Sequence, residues 1–155
     1  MIKIEIPGSC TLALQHAVFD YNGTIALDGK LDKTVADRLC ELQKQLTIHV
    51  LTADTNQTVE EACKGYGFHV SVFSSGAAAA EKRRIVESLG KGVVCFGNGF
   101  NDIGMAEAAD LAIAVLAEEG ACAKLLTVCD LVVGSPLLAI DLLLKPHRLI
   151  ATLRA

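Results

Sequence analysis

From residue 16 onward the chain alternates short apolar runs with segments of helical spacing, and this alternation restricts the folds open to it. His16–Phe19 is a short apolar run closed by Asp20. In Leu31–Gln45, the residues Leu31, Val35, Leu39 and Leu42 fall near one helical face, and Leu46 continues it. The unit then recurs. Thr47–Leu51 reads as a strand ending at Thr52, Asn56 caps a helix through Lys64 with Gly65 past its end, and Phe68–Phe73 is the next strand. Ala77–Leu89 reads as a helix stopped by Gly90, Val93–Phe96 as a strand, and Asp102–Ala108 as a helix. Leu111–Val115 and Leu131–Val133 read as the last strands, and Leu137–Leu144 as the last helix, with an extension past Pro146 left open. Strands alternating with helices form βαβ units, which give an α/β fold whose parallel sheet is covered on both faces. Ahead of these units, Ile2–Ile6 alternates with period two, Pro7-Gly8 marks a turn, and Thr11–Leu14 is the returning arm of a hairpin.

A chain of 155 residues corresponds to one domain spanning 1–155. With 52% apolar and 21% charged residues it has material for a core, which excludes a disordered or low-complexity chain. Its 14 basic and 18 acidic side chains give a net charge of −4, which argues against a chain-wide face for nucleic acid. No membrane partner is expected, because the most apolar stretch, Leu131–Leu144, is broken by Ser135, Pro136 and Asp141. Charges interleave the first residues, so they do not read as a signal peptide, and a cytoplasmic location is expected. The six cysteines form no C-x-x-C pair. They read as reduced, mostly buried structural thiols, with a redox role as the alternative.

Ligands of an open parallel sheet bind beyond the carboxyl ends of the strands. The polar residues there are Asp20-Tyr-Asn-Gly-Thr24, Thr52-Ala-Asp54 and Gly97-Asn-Gly-Phe-Asn-Asp102, and Lys82 stands near the start of the helix before the last of these. Phosphoryl transfer through a carboxylate uses such a set. Asp20 is the candidate nucleophile, forming an aspartyl-phosphate. Gly23 permits a tight turn with backbone N–H groups toward phosphate oxygens, Thr24 and Thr52 offer hydroxyls, and Lys82 a fixed positive charge. Asp102 offers a second carboxylate for Mg²⁺.

Phe19-Asp-Tyr-Asn-Gly-Thr24, Leu51-Thr52, Lys82 and Gly97-Asn-Gly-Phe-Asn-Asp102 resemble the four motifs of the haloacid dehalogenase superfamily. In order and spacing they are most similar to the phosphorylation domain of P-type ATPases and its small soluble relatives. The resemblance spans roughly Val18–Val115. It implies a Rossmann-like three-layer α/β/α sandwich and a Mg²⁺-dependent phosphatase or phosphotransferase acting on a small phosphorylated substrate. It implies Asp20, Asn22, Thr52 and Lys82 as catalytic, and Gly23, Thr24, Thr52, Lys82 and Asn101 as phosphate-binding. The metal set it implies is Asp20, Asn22 (through its carbonyl), Asn98 and Asp102. The short segment Ile25–Lys30, with a hairpin signal at Asp28-Gly29, looks like the flap of a member without a cap domain.

Two residues depart from the family pattern. Asn22 stands where its phosphatases carry an Asp general acid and base, and an amide holds no transferable proton at neutral pH. Asn98 stands where the family has a metal-ligating Asp. Slow turnover on small or activated phosphates and weaker Mg²⁺ binding are the expectations. The alternative is a non-catalytic module that binds phosphate and Mg²⁺ and serves interaction or regulation. Local readings stand beside these. Asp20 could cap a turn, Lys82 could belong to a solvated Glu81–Arg84 face, and Asp54 and Asp110 read as helix-start and turn residues. His16, His49 and His69 read as packed strand residues. The last helix, apolar nearly all round, is a candidate oligomer surface together with the flap, unless Ile150 and Leu153 fold back over it.

Overall fold

A computed structural model describes residues 1–53 and 58–155. The Asn56 cap and Asp54 lie outside the described residues. The chain opens with the hairpin β1 (Ile2–Glu5) and β2 (Thr11–Leu14), a separate two-stranded antiparallel sheet. Next comes β3 (His16–Asp20), then a second hairpin, β4 (Ala26–Leu27) and β5 (Lys30–Leu31). Asp28 and Gly29 take positive φ, at 49° and 76°, which is the two-residue turn that Asp-Gly favours.

The helix α1 (Lys33–Gln43) starts at Asp32, whose side chain accepts from Thr34 N at 2.8 Å. It crosses to β6 (Thr47–Thr52), followed by α2 (Thr58–Cys63), β7 (His69–Val72) and α3 (Ala78–Leu89). Gly90 ends α3 at φ 79°. Then come β8 (Val93–Gly97), a single 3₁₀ turn over Phe100–Asp102, α4 (Ile103–Ala108) and β9 (Leu111–Val115). The chain closes with α5 (Ala123–Leu126), β10 (Leu131–Val133), α6 (Pro136–Leu144) and α7 (Pro146–Leu153).

The central sheet has six parallel strands in the order β10-β9-β8-β3-β6-β7. The chain builds outward from β3 in one direction, then returns to build in the other, so the order reverses between β3 and β8. Alternation divides the side chains. Ala17, Phe19, Ile48, Val50, Val94 and Phe96 pack with α1, α2 and α6. Val18, Leu51, Val93 and Cys95 pack with Val86 of α3 and Met105 of α4. Phe19 and Phe96 stack with centroids 4.3 Å apart, tying the two strands that flank the reversal. The result is the three-layer α/β/α sandwich expected.

The fine structure settles two points that the sequence reading left open and adds one helix that it did not contain. Pro146 starts α7 as a new helix, because a proline lacks the N–H that would continue α6 but suits a first helical turn. Ile150 and Leu153 of α7 pack on the core, so the fold covers part of α6 from within the chain and leaves Leu138 half exposed. The four-residue α5 was not anticipated, its apolar content being too short to show a period. All six cysteines are free thiols, Cys63 and Cys95 buried and Cys10 exposed. Burial holds Cys63 and Cys129 near pKa 11, in the unreactive thiol form.

His16, His49 and His69 form a row across β3, β6 and β7. Burial, then the neighbouring rings of His16 and His69, lower the His49 pKa from 6.5 to about 4. Between these values the unfolded chain binds a proton at His49 that the folded chain refuses, so stability falls as pH drops through that window. The melting temperature of the wild type is expected to fall more steeply from pH 6.5 to 4 than that of His49→Gln; parallel curves would show that His49 titrates normally.

Candidate functional site

The site forms where strand order reverses, beyond the carboxyl ends of β3, β6 and β8. Asp20 ends β3, Thr52 ends β6, and Asn98 follows β8 directly. With Asn22, Gly99 and Asn101 they line a cavity of about 320 Å³.

Lys82 enters from α3 and is wholly buried. Its Nζ donates to Asp20 Oδ1 at 2.6 Å, to Asp102 Oδ1 at 2.7 Å and to Asn101 Oδ1 at 3.3 Å. Burial works against the ammonium, but the carboxylates of Asp20 and Asp102 outweigh it and hold its pKa above the usual lysine value. Two carboxylates thus share one cation, leaving one negative charge in excess, and the consequence falls on Asp20. Burial first, then the charge of Asp102, raise its pKa to about 7, while Lys82 pulls in the other direction.

Asp102 stands behind Lys82 and does not line the cavity. Its Oδ1 takes the ammonium, and its Oδ2 accepts from Asn98 N at 3.0 Å and Gly99 N at 2.9 Å. Both oxygens are occupied by the protein, so this carboxylate shapes the loop after β8 and fixes Lys82; the sequence expectation had it facing a metal. Gly23 and Thr24 also differ from expectation. The Gly23 N–H donates to Ala26 O at 2.8 Å and the Thr24 N–H to Tyr21 O at 3.3 Å, so the turn itself takes these two donors. Neither residue lines the cavity. Thr24 Oγ1 lies 3.3 Å from Asp20 Oδ2 and from Asn98 Oδ1, bridging the ends of β3 and β8. Gly23 is required there twice over: its φ is 77°, and a Cβ would come within 2.2 Å of the Asn98 amide nitrogen.

Asn98 was expected as a cavity residue, but its wider role carried no sequence signal. Its Nδ2 donates to Gly120 O at 3.1 Å, and its backbone oxygen accepts from Cys122 N at 2.7 Å. In the same loop, Glu119 Oε1 accepts from Asp28 N at 3.0 Å, so the flap and the loop after β9 are joined. Partners 22 and 91 residues apart leave no local pattern to read.

The cavity-lining residues Asp20, Asn22 and Asn98 offer hard oxygen donors. Together with the excess negative charge they fit a small divalent cation such as Mg²⁺. Among the described residues no three His, Cys, Asp or Glu side chains converge on a point. Any such ion therefore takes amide, carbonyl or water oxygens besides Asp20.

No protein-family model matches the chain. It is 39% identical over 84 residues to an uncharacterized protein of Methanocaldococcus jannaschii, MJ0073, covering 51% of this chain and 90% of that one. It is 45% identical over 40 residues to a second uncharacterized protein of that organism, MJ0072, covering 26% of this chain and 91% of that one. Among solved structures, the fold matches 3-deoxy-D-manno-octulosonate 8-phosphate phosphatase from Moraxella catarrhalis, in complex with magnesium, phosphate and KDO. That match has a TM-score of 0.71 and 16% identity over 91% of this chain and 94% of that one. The cobalt-bound form of the deoxy-D-mannose-octulosonate 8-phosphate phosphatase YrbI from Haemophilus influenzae matches with a TM-score of 0.69 and 11% identity, over 87% of this chain and 90% of that one. The catalytic domain of the CPx-ATPase CopB-B matches with a TM-score of 0.56 and 23% identity, over 81% of this chain and 46% of that one. At these identities the likenesses show the fold.

Lys82→Met removes the one cation between two buried carboxylates. The expected cost is about 3–5 kcal/mol of stability, read from the midpoint of urea unfolding; an unchanged midpoint would show that the Asp20–Lys82–Asp102 cluster does not hold in solution.

Proposed function

Since the chain belongs to the family of the archaeal protein MJ0073 and has the fold of the haloacid dehalogenase superfamily, we propose that residues 1–155 form one Mg²⁺-dependent phosphohydrolase domain working through an aspartyl-phosphate on Asp20. One observation carries this reading. Among the described cavity-lining residues Asp20 is the ionisable one, and it is oriented by a buried Lys82 at a crevice where the strand order reverses. The KDO 8-phosphate phosphatase with magnesium and phosphate, similar in fold, supports the same class of chemistry.

In the proposed reaction Asp20 attacks phosphorus, the bond to the leaving oxygen breaks, and the leaving group departs with the electron pair. Lys82, buried behind the cavity, orients the Asp20 carboxylate rather than contacting phosphate as expected, while Thr52 and Asn101, which line the cavity, face the phosphoryl oxygens. Water then attacks the phosphorus of phospho-Asp20, freeing phosphate and regenerating the carboxylate. Asp20, the Asn22 carbonyl and Asn98 would hold Mg²⁺, which supplies positive charge against the phosphoryl oxygens when bound. Asp102 acts from behind by fixing Lys82 and the loop.

The amide at Asn22 sets the substrate range and the pace. No described residue lining the cavity other than the nucleophile carries a proton to give. A general acid is typically worth about 10²–10⁴-fold, so leaving groups that depart readily as anions are favoured and turnover is slow. Between β3 and α1 the structure has only the β4–β5 hairpin, which leaves the cavity suited to small phosphates. A second reading, a module that binds phosphate and Mg²⁺ without turnover, draws on the same Asn22 and on Asn98, whose amide is engaged by Gly120.

Phosphate release from acetyl phosphate is expected to require Mg²⁺, to stop with EDTA, and to fall at least about a thousandfold in Asp20→Asn. Absence of turnover, with no phospho-Asp20 by mass spectrometry, would favour the binding module. Asn22→Asp is expected to raise the rate on phenyl phosphate relative to acetyl phosphate by at least about tenfold, because only the phenolate leaving group, of pKa about 10, needs the proton. An unchanged ratio would show that leaving-group protonation does not limit the reaction.

A further inference from the structure

Three of the four histidines stand together, away from the cavity. His16 opens β3, and Asp20 closes the same strand four residues on, roughly 13 Å away at about 3.3 Å per residue. His49 is level with Val18 of β3 on one side and with His69 of β7 on the other. By alternation His16, His49 and Val18 share the sheet face that carries α3. Ring centroids are 5.3 Å apart for His16 and His49 and 5.2 Å for His49 and His69, close to the spacing of the strands themselves. The sheet therefore sets the row.

His16 Nδ1 and His49 Nε2 are 3.2 Å apart. That distance suits an N–H···N hydrogen bond, in which one ring donates and the other accepts. It also suits two ligands of one metal ion: with metal–nitrogen bonds of about 2.0–2.1 Å it corresponds to a ligand–metal–ligand angle of about 100°, near tetrahedral. His16 and His69, though not His49, border an open cavity of about 470 Å³ at the amino ends of β3, β6 and β7, which gives an ion a path to His16 and room for water.

We propose that His16 Nδ1 and His49 Nε2 form a second metal site, for a divalent transition ion of the zinc, nickel or copper class, with His69 stacked on His49 and water completing the coordination. Imidazole nitrogen suits these ions, whereas Mg²⁺ prefers the oxygen donors at Asp20, so the two ends of the sheet would take different metals. Binding displaces the shared proton, the ion sitting to the side of the N···N line and taking a lone pair from each nitrogen. That proton moves, by exchange with solvent, to the other nitrogen of the same ring, so both imidazoles stay neutral and no net proton is released.

The test is a Zn²⁺ titration of the full chain with Mg²⁺ in excess, followed by calorimetry and by the NMR signals of the histidine rings. One equivalent is expected to bind, shifting the His16 and His49 ring signals. The affinity should weaken at least about tenfold in His16→Gln and in His49→Gln, and hold in His147→Gln and Cys10→Ser. The wild-type ring signals give the answer even if His49→Gln folds poorly. The site is ruled out if those signals ignore Zn²⁺ at millimolar concentration, if the affinity survives His16→Gln, or if it is lost with Cys10→Ser instead.

Discussion

A lysine ammonium sealed between two carboxylates organises this molecule. A charge taken out of water must be paired, and Lys82 is paired twice, with Asp20 from β3 and Asp102 from the loop after β8. The partners stand 62 and 20 residues from it in sequence, so the cluster exists only when the sheet has assembled. Three elements are thereby located relative to one another at the point where strand order reverses. Two acids for one base also leave a charge unbalanced. Asp20 stands at the edge of the cavity with its pKa raised to about 7, by burial first and by the charge of Asp102 second. An uneven pairing of buried charges is a feature of functional sites more than of structural ion pairs, and it fits the proposed binding of a cation and an anion here.

Asn98 shows a related exchange. A carboxylate at this position could accept from Thr24 Oγ1, as Asn98 Oδ1 does, but it could not donate to Gly120 O. The amide gives up a negative charge and secures the loop after β9, and Glu119 of that loop reaches the flap at Asp28. On the proposed reading the cost would fall on cation affinity, because one fewer charge would face the ion. The benefit is mechanical, since the cavity rim is linked from the end of β8 to the hairpin after β3.

The alternation of apolar runs and helical segments made the fold legible, since each run is short, bounded by glycine or polar residues, and period alone separates strand from helix. The Asp28-Gly29 hairpin and the helix stop at Gly90 were legible because positive φ leaves a mark on composition. The residues that meet at the cavity were legible in the strand-end motifs, and Asp20, Asn22, Thr52, Asn98 and Asn101 do line it. Orientation was not legible. Whether Asp102 faces outward or backward depends on Lys82 arriving from another layer, and whether the Gly23 N–H points to the cavity depends on how the turn closes onto Ala26. These are choices among partners brought together by the fold, which a linear pattern does not rank.

On the proposed chemistry, the charge imbalance has a consequence for the intermediate. A carboxylate whose pKa has been raised is a better nucleophile and, by the same measure, a poorer leaving group. Asp20 held near 7 would take a phosphoryl group more readily and release it more slowly than an ordinary aspartate of pKa 3.8. Asn22 acts in the same direction, because a residue that cannot give a proton to the departing alkoxide also cannot take one from the attacking water. On that proposal, burial of Asp20 and the amide at position 22 would both lengthen the life of a phosphoenzyme. The balance between a slow phosphatase and a phosphate-holding module rests on how far a bound cation offsets the charge that Asp102 and Lys82 leave on Asp20.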